Sequence, residues 1–260
     1  MIGQLLDGRY QISQILGSGA FGQTFLAKDI KRPGHPACVV KQLRYFSHNP
    51  QSLQTARRLF KTEAETLEKL GQHDQIPTLL ADLEEKQEFY LVQQFIPGHP
   101  LTQEMVPGKP WTEDRVISLL TEVLQILEFV HSQGVIHRDI KPANLMRRQS
   151  DNKIVLIDFG AVKEIGTQIA KGQMTPTVVI GTPGYMPIEQ FHGQPQLNSD
   201  IYALGMMGIQ ALLGLAANEL SKLKTPTNPQ MGEIIWRNRG QVSAGLADII
   251  DKMVQPGYLQ

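Results

Sequence analysis

The sequence predicts an α+β fold in two lobes, residues 1–95 and 96–260. Three observations carry this. The first lobe alternates short strand-like runs with a single stretch of helical period. Pro97-Gly98 then breaks the pattern. Beyond the break the apolar runs reach helix length, so a small antiparallel sheet with one helix is expected to precede a mainly helical lobe.

Residues 9–31 predict a hairpin, an alternating run and a glycine turn followed by Thr24-Phe25-Leu26-Ala27. Ala37 to Leu43 predicts the next strand. Leu53 to Leu70 predicts a helix, because Leu53, Ala56, Phe60, Ala64, Leu67 and Leu70 share one stripe. Two strands follow, Leu79 to Leu83 and Glu88 to Phe95. After the break, Glu113 to Ser132 predicts a strong helix closed by Gly134, with short strands at Val135-Ile136 and Ile154 to Ile157. Asn198-Ser199 can cap a further helix. Its run from Ile201 to Ala217 is apolar all round, the pattern of a buried axis rather than of a membrane span. Lys224 to Gln230 is a loop rich in Thr and Pro, and there is no internal repeat.

Composition narrows the partners. Lys+Arg and Asp+Glu both number 25, so the net charge is zero and neither nucleic acid nor an anionic membrane is indicated as the main partner. The single cysteine, Cys38, cannot form an intrachain disulfide, which fits a reducing, cytoplasmic compartment, and its strand position predicts a buried apolar role. Residues 1–10 contain no apolar stretch long enough for a signal peptide.

Three blocks carry chemistry. Gly17-Ser18-Gly19-Ala20-Phe21-Gly22 is a glycine loop whose backbone N–H groups can approach phosphates. A dinucleotide-binding loop would continue into a helix; here Gln23 to Ala27 continues as a strand. His137-Arg138-Asp139-Ile140-Lys141-Pro142-Ala143-Asn144 is the most specific block, and Asp158-Phe159-Gly160 follows it. Between the first two blocks, strand alternation puts Val39 and Lys41 on one face and Cys38 and Val40 on the other. Helical spacing puts Glu63 inside the apolar stripe, while Glu65 and Glu68 point away. A charge on a buried face needs a partner, and Lys41 is the obvious one; the plain alternative is a solvated Glu63 at the stripe's margin.

In this order the blocks resemble the signature set of the protein kinase family, over essentially the whole chain, with the nearest likeness to bacterial and cyanobacterial serine/threonine kinases. The resemblance implies a bilobal fold with ATP in the cleft between the lobes, and two Mg²⁺, for which Mn²⁺ can substitute. It implies Asp139 as the group that accepts or orients the proton of a substrate hydroxyl. Asn144 and Asp158 would ligate the metal, and Lys41 held by Glu63 would clamp phosphates. Lys141 with Thr182 would mark Ser/Thr rather than Tyr specificity. Leu16, the loop from Gly17 to Gly22, Thr24, Val39, Lys41 and Met146 would surround the nucleotide. Gln93 would take the gatekeeper position of a hinge running from Gln93 to Pro97, with Gln94 and Ile96 offering backbone bonds to adenine. His137 would support the backbone rather than transfer a proton.

The departures are also legible. Thr24 and Val39 stand where kinases commonly carry Val and Ala, and Ala143 where an acidic residue is common. Ala-Pro-Glu appears as Pro187-Ile188-Glu189. The family's glutamate pairs with an arginine of a late helix. Arg237 and Arg239 come too early for that, so the sequence is expected to be a piece of a longer kinase, and a membrane anchor beyond residue 260 stays open. Arg138 before the catalytic Asp points to activation-loop phosphorylation, with Thr175 and Thr177 as candidates, Thr167 behind them, and Arg138 and Lys163 as phosphate partners. The competing functions are an ATP-binding pseudokinase scaffold and a small-molecule phosphotransferase of related fold.

Overall fold

The computed structural model describes residues 1–19, 22–43, 50–159, 163–164, 181–223 and 233–255, and of residues 50–52, 55, 56, 59, 163 and 164 only the backbone. Ala20, Phe21, Gly160, Thr167, Thr175, Thr177, the Lys224 to Gln230 loop and the side chain of Lys163 therefore lie outside the described residues. The chain forms two compact units, Met1–Pro97 and Gly98–Gln260.

The first unit is built on a six-stranded antiparallel sheet in the order β1-β2-β3-β4-β6-β5. Its strands are β1 (Leu5–Leu6), β2 (Tyr10–Gly19), β3 (Gly22–Asp29), β4 (Ala37–Leu43), β5 (Leu79–Glu85) and β6 (Glu88–Gln94). Alternation sorts the strands into two faces. Phe25, Ala27, Cys38, Val40, Tyr90 and Val92 pack with Leu6, Tyr10 and Ile12 into a core on one face. Val39 and Lys41 take the other face, opposite Leu26 and Thr24 on β3 and Gln93 and Leu91 on β6. The expected burial of Cys38 is borne out at 1% exposure, and burial pushes its thiol up to about 11.

Helix α1 (Pro50–Leu70) covers the Lys41 face, with the Phe60 ring 5.0 Å from that of Phe89, which pairs with Leu43 on that face. The helix starts three residues before the expected Leu53, because proline at the first helical position loses no intrahelical bond. Phe60, Ala64, Leu67 and Leu70 are buried, as the stripe predicts.

The second unit contains α2 (Glu113–Ser132), α3 (Ile188–Phe191), α4 (Leu197–Leu213) and α5 (Ala244–Met253). Short strands complete it: β7 (Gly98–Pro100), β8 (Val135–Ile136), β9 (Leu145–Arg148), β10 (Ile154–Leu156) and β11 (Lys163–Glu164). They form two small antiparallel sheets, β10-β9-β7 and β11-β8. Helix α2 matches its predicted span. Glu113 and Asp114 sit in its first turn, where the helix dipole favours negative charge.

Helix α4 is the buried axis that its composition predicts, with Ser199 and Asp200 enclosed alongside its apolar side chains. The expected cap at Asn198-Ser199 is corrected. The helix begins at Leu197 with Gln196 as cap, and Ser199 serves from inside the first turn by accepting the Gln196 N–H at 3.0 Å. Helix α5 was not read from the sequence; Ser243 caps it, and both Ser243 N–H and Oγ–H donate to Glu113 at 2.6 Å. No single described helix is long and apolar enough to cross a membrane.

Glu104 anchors the segment that follows β7. It accepts bonds from His99 at 2.9 Å, Arg115 at 2.5 Å and Arg147 at 3.1 Å. Burial pushes its carboxyl up, but these bonds outweigh burial and hold it below the ordinary carboxylate value.

Candidate active site

In the first unit the glycine loop is the far end of the β2–β3 hairpin, where Gly17 pairs with Thr24, Ser18 with Gln23 and Gly19 with Gly22. Gly22 has φ +145°, and a Cβ there would lie 1.8 Å from the Gln42 carbonyl oxygen. Only glycine lets β4 approach this closely. Thr24 and Lys41 are direct cross-strand partners, so the end of the loop and the lysine share one face of the sheet. Glu63 lies one turn beyond Phe60 on α1, half-buried with a buried Oε1, while Glu65 and Glu68 are exposed. Lys41 and Glu63 thus face the same side of the sheet. Leu16 is exposed on β2 and Val39 half-buried on β4. Gln93 and Gln94 end β6, Ile96 is buried beyond it, and Gln94 uses its N–H on the Thr78 carbonyl at 2.9 Å.

In the second unit the loop from His137 to Asn144 is pinned from several sides. Asp200, at the start of α4 and 1% exposed, accepts the His137 N–H at 2.9 Å, the Arg138 N–H at 2.8 Å and His131 Nε2 at 2.9 Å. His137 is fully enclosed, and burial pushes its pKa down, so the ring is neutral. Its Nδ1 accepts the Asp139 N–H at 3.3 Å, which leaves the proton on Nε2 to bond the Ile157 carbonyl at 3.1 Å. The Phe159 ring packs edge-on at 4.7 Å. His137 therefore shapes the backbone, as the sequence analysis expects.

Asp139 is the focus of the polar contacts. Its Oδ1 accepts the Thr182 hydroxyl at 2.8 Å, and its Oδ2 accepts Lys141 Nζ at 2.6 Å and Asn144 Nδ2 at 3.1 Å. Lys141 Nζ also donates to Thr182 Oγ1 at 2.9 Å, closing a triangle. Asn144 Nδ2 reaches the Asp139 carbonyl at 2.8 Å as well. A carboxylate oriented this tightly can accept a proton from a neighbouring hydroxyl in one fixed direction.

Asp158 follows β10 with φ +66° and an exposed side chain. The Ile157 N–H donates to the Asn144 carbonyl at 2.9 Å, which brings the two metal-candidate segments side by side. Among the described residues no group of three or more His, Cys, Asp or Glu side chains converges on one point. Asn144 and Asp158 offer oxygen donors, the chemistry that suits a hard divalent cation completed by phosphate and water oxygens. Met146 sits on β9, paired with Val155 and Pro100.

Sequence reasoning missed three buried polar residues. Asp200, in the first turn of α4, is the first of them. Gln190 donates to the Arg138 carbonyl at 2.5 Å, and Gln210 accepts the Tyr185 hydroxyl at 2.6 Å. Their signal in the sequence is polarity at positions that the surrounding apolar pattern would bury. Glu189 is buried and accepts Ser199 Oγ at 2.8 Å, while Arg237 bonds Asp248 and Asp251 instead, as its early position implies.

Residues 10–257 match the protein kinase domain family. The chain is 46% identical over 255 residues to the serine/threonine-protein kinase PknA of Nostoc sp., covering 96% of this chain and 44% of that protein. It is 45% identical to serine/threonine-protein kinase B of Synechocystis sp., covering 96% of this chain and 44% of that protein. It is 43% identical to kinase C of the same organism, covering 97% and 47%. The chain thus spans about half the length of the curated relatives it matches.

Proposed function

The chain belongs to the protein kinase family, and on that premise we propose that it is an ATP-dependent kinase acting on Ser and Thr hydroxyls of proteins, with Mg²⁺. The observation that carries the reading is the Asp139–Lys141–Thr182 triangle. It holds the carboxylate in one orientation beside an ammonium group. Asp139 accepts the proton of the substrate hydroxyl while the hydroxyl oxygen bonds the γ-phosphorus, and the bond from that phosphorus to the β-phosphate oxygen breaks, releasing ADP. Lys141 offsets the negative charge that develops next to it. Asn144 and Asp158 would hold the metal, which would supply neutralisation of phosphate charge. The glycine loop through Gly22 and Lys41, oriented by Glu63, hold the phosphates. Leu16, Thr24, Val39, Gln94, Ile96 and Met146 are assigned to the nucleotide.

Activation-loop phosphorylation is part of the proposal. Arg138 is 8% exposed, and its Nε has no hydrogen-bond partner among the described residues. A buried guanidinium of this kind favours a phosphate partner, which Thr175 or Thr177 would supply, with Lys163 as a second cation. The Thr175→Ala/Thr177→Ala double variant is expected to lose activity; full activity would refute this part.

Phosphoamino-acid analysis of a generic protein substrate after incubation with ATP and Mg²⁺ tests the reading. Phosphoserine and phosphothreonine without phosphotyrosine are expected. ATP binding with no transfer would replace the reading with that of a nucleotide-binding scaffold.

A further inference from the structure

We propose that Gln190 is a positioning residue for Asp139, an inference that rests on the assignment of Asp139 as the group that takes the substrate proton. The side chain of Gln190 is 3% exposed, and its Nε2 donates to the Arg138 carbonyl at 2.5 Å. That carbonyl belongs to the peptide linking Arg138 to Asp139. The N–H of the same peptide donates to His137 Nδ1 at 3.3 Å. The plane is thus held at both ends, and its tilt sets the direction in which the Asp139 side chain leaves the backbone.

The plane needs such restraint. Arg138 has φ +71°, a left-handed conformation unfavourable for a residue with a side chain. Its own N–H is bound by Asp200 at 2.8 Å. Without a donor at the carbonyl, the strain on the Asp139 side of Arg138 is relieved by rotation of the peptide.

Gln190 also bears on the other side of the Asp139 carboxylate. A Cβ at Gly181, which has φ +138°, would come within 2.6 Å of Gln190 Nε2 and 3.4 Å of the Arg138 carbonyl oxygen. The amide therefore lies against the Gly181 backbone, immediately ahead of Thr182, whose hydroxyl donates to Asp139 Oδ1 at 2.8 Å. One buried amide touches both chain segments that orient the carboxylate. It is carried by α3, whose neighbouring Glu189 is tied to Ser199 on α4 by a 2.8 Å bond. The segment bearing Thr182 and the loop bearing Asp139 are thereby referred to the same buried helix.

The test uses Gln190→Met, which keeps length and removes the donor, and Gln190→Glu, which keeps shape and presents acceptors to a carbonyl. Both are compared with wild type for kcat, for KM toward ATP, and for ATP-binding stoichiometry, which gives the folded fraction. Normalised to that fraction, kcat is expected to fall about 10–100-fold in both, with KM for ATP unchanged. In an Asp139→Asn background, Gln190→Met should cost almost nothing further, because a residue that acts through Asp139 has no separate effect once Asp139 is lost. Unchanged normalised kcat, a shift confined to KM, or a full additive loss in the Asp139→Asn background would each overturn the inference. An inactive wild type would overturn the Asp139 assignment itself.

Discussion

Removing the Asp200 carboxylate tests how the catalytic loop is held. In Asp200→Ala two buried backbone N–H groups, of His137 and Arg138, lose acceptors that now lie at 2.9 and 2.8 Å. Each buried, unsatisfied group costs about 1–3 kcal/mol. The sum is about 2–6 kcal/mol, centred near 4. His131 adds little, since its partly exposed ring can turn to water. Against a domain stability of about 5–15 kcal/mol, the variant stays folded but weakened. For a chain of this size each kcal/mol moves Tm by about 2–4 °C, so a fall of about 8–16 °C follows. Asp200→Asn keeps one carbonyl acceptor and should lose about half as much. Both tryptophans, Trp111 and Trp236, are buried in the second unit, so their fluorescence during urea and thermal unfolding reports on that unit. Unfolding of Asp200→Ala within about 1 kcal/mol and 3 °C of wild type would refute the reasoning.

Three further outcomes are expected. Gly22→Ala should destabilise the first unit by about 1–3 kcal/mol and weaken ATP binding, because the new Cβ meets the Gln42 carbonyl; a calorimetric scan and an ATP titration check this. Glu104 has a folded pKa below its ordinary value near 4.5, so its stabilisation is present in full above that pH and is lost as pH falls through the folded value. Glu104→Gln should therefore flatten the acid limb of stability below about pH 4.5, measured by urea unfolding across pH 3 to 6. Asp158→Asn should abolish metal-dependent phosphoryl transfer, by about 10²-fold or more, while leaving the melting temperature of the chain near wild type; paired activity and melting assays separate the two.

Much of the fold was legible because local patterns matched tertiary roles. Strand alternation in Cys38-Val39-Val40-Lys41 foretold which side chains join the core and which share a face with α1. The stripe of α1 and the span of α2 follow from apolar period alone. Asp139, Lys141 and Asn144, and Thr182 with them, were legible through the resemblance of their blocks to the protein kinase signature, and the first three also bond within one short segment. Asp200 and Gln190 were not. Each bonds backbone atoms more than 50 residues away, and no local pattern encodes a partner whose position depends on how two distant segments pack. The cap of α4 was misplaced for a related reason: Ser199 has cap chemistry, but it acts from the first turn because the extended Gln196 takes the cap position and the two residues bond reciprocally.

The most direct test sets wild type beside Asp139→Asn, each incubated with ATP and Mg²⁺, with ATP affinity measured for both and phosphosites mapped by mass spectrometry. Equal ATP affinity, with phosphate on Ser and Thr side chains in the wild type alone, is the predicted result. Equal phosphorylation in both proteins would contradict the central claim that the oriented Asp139 carboxylate drives the transfer.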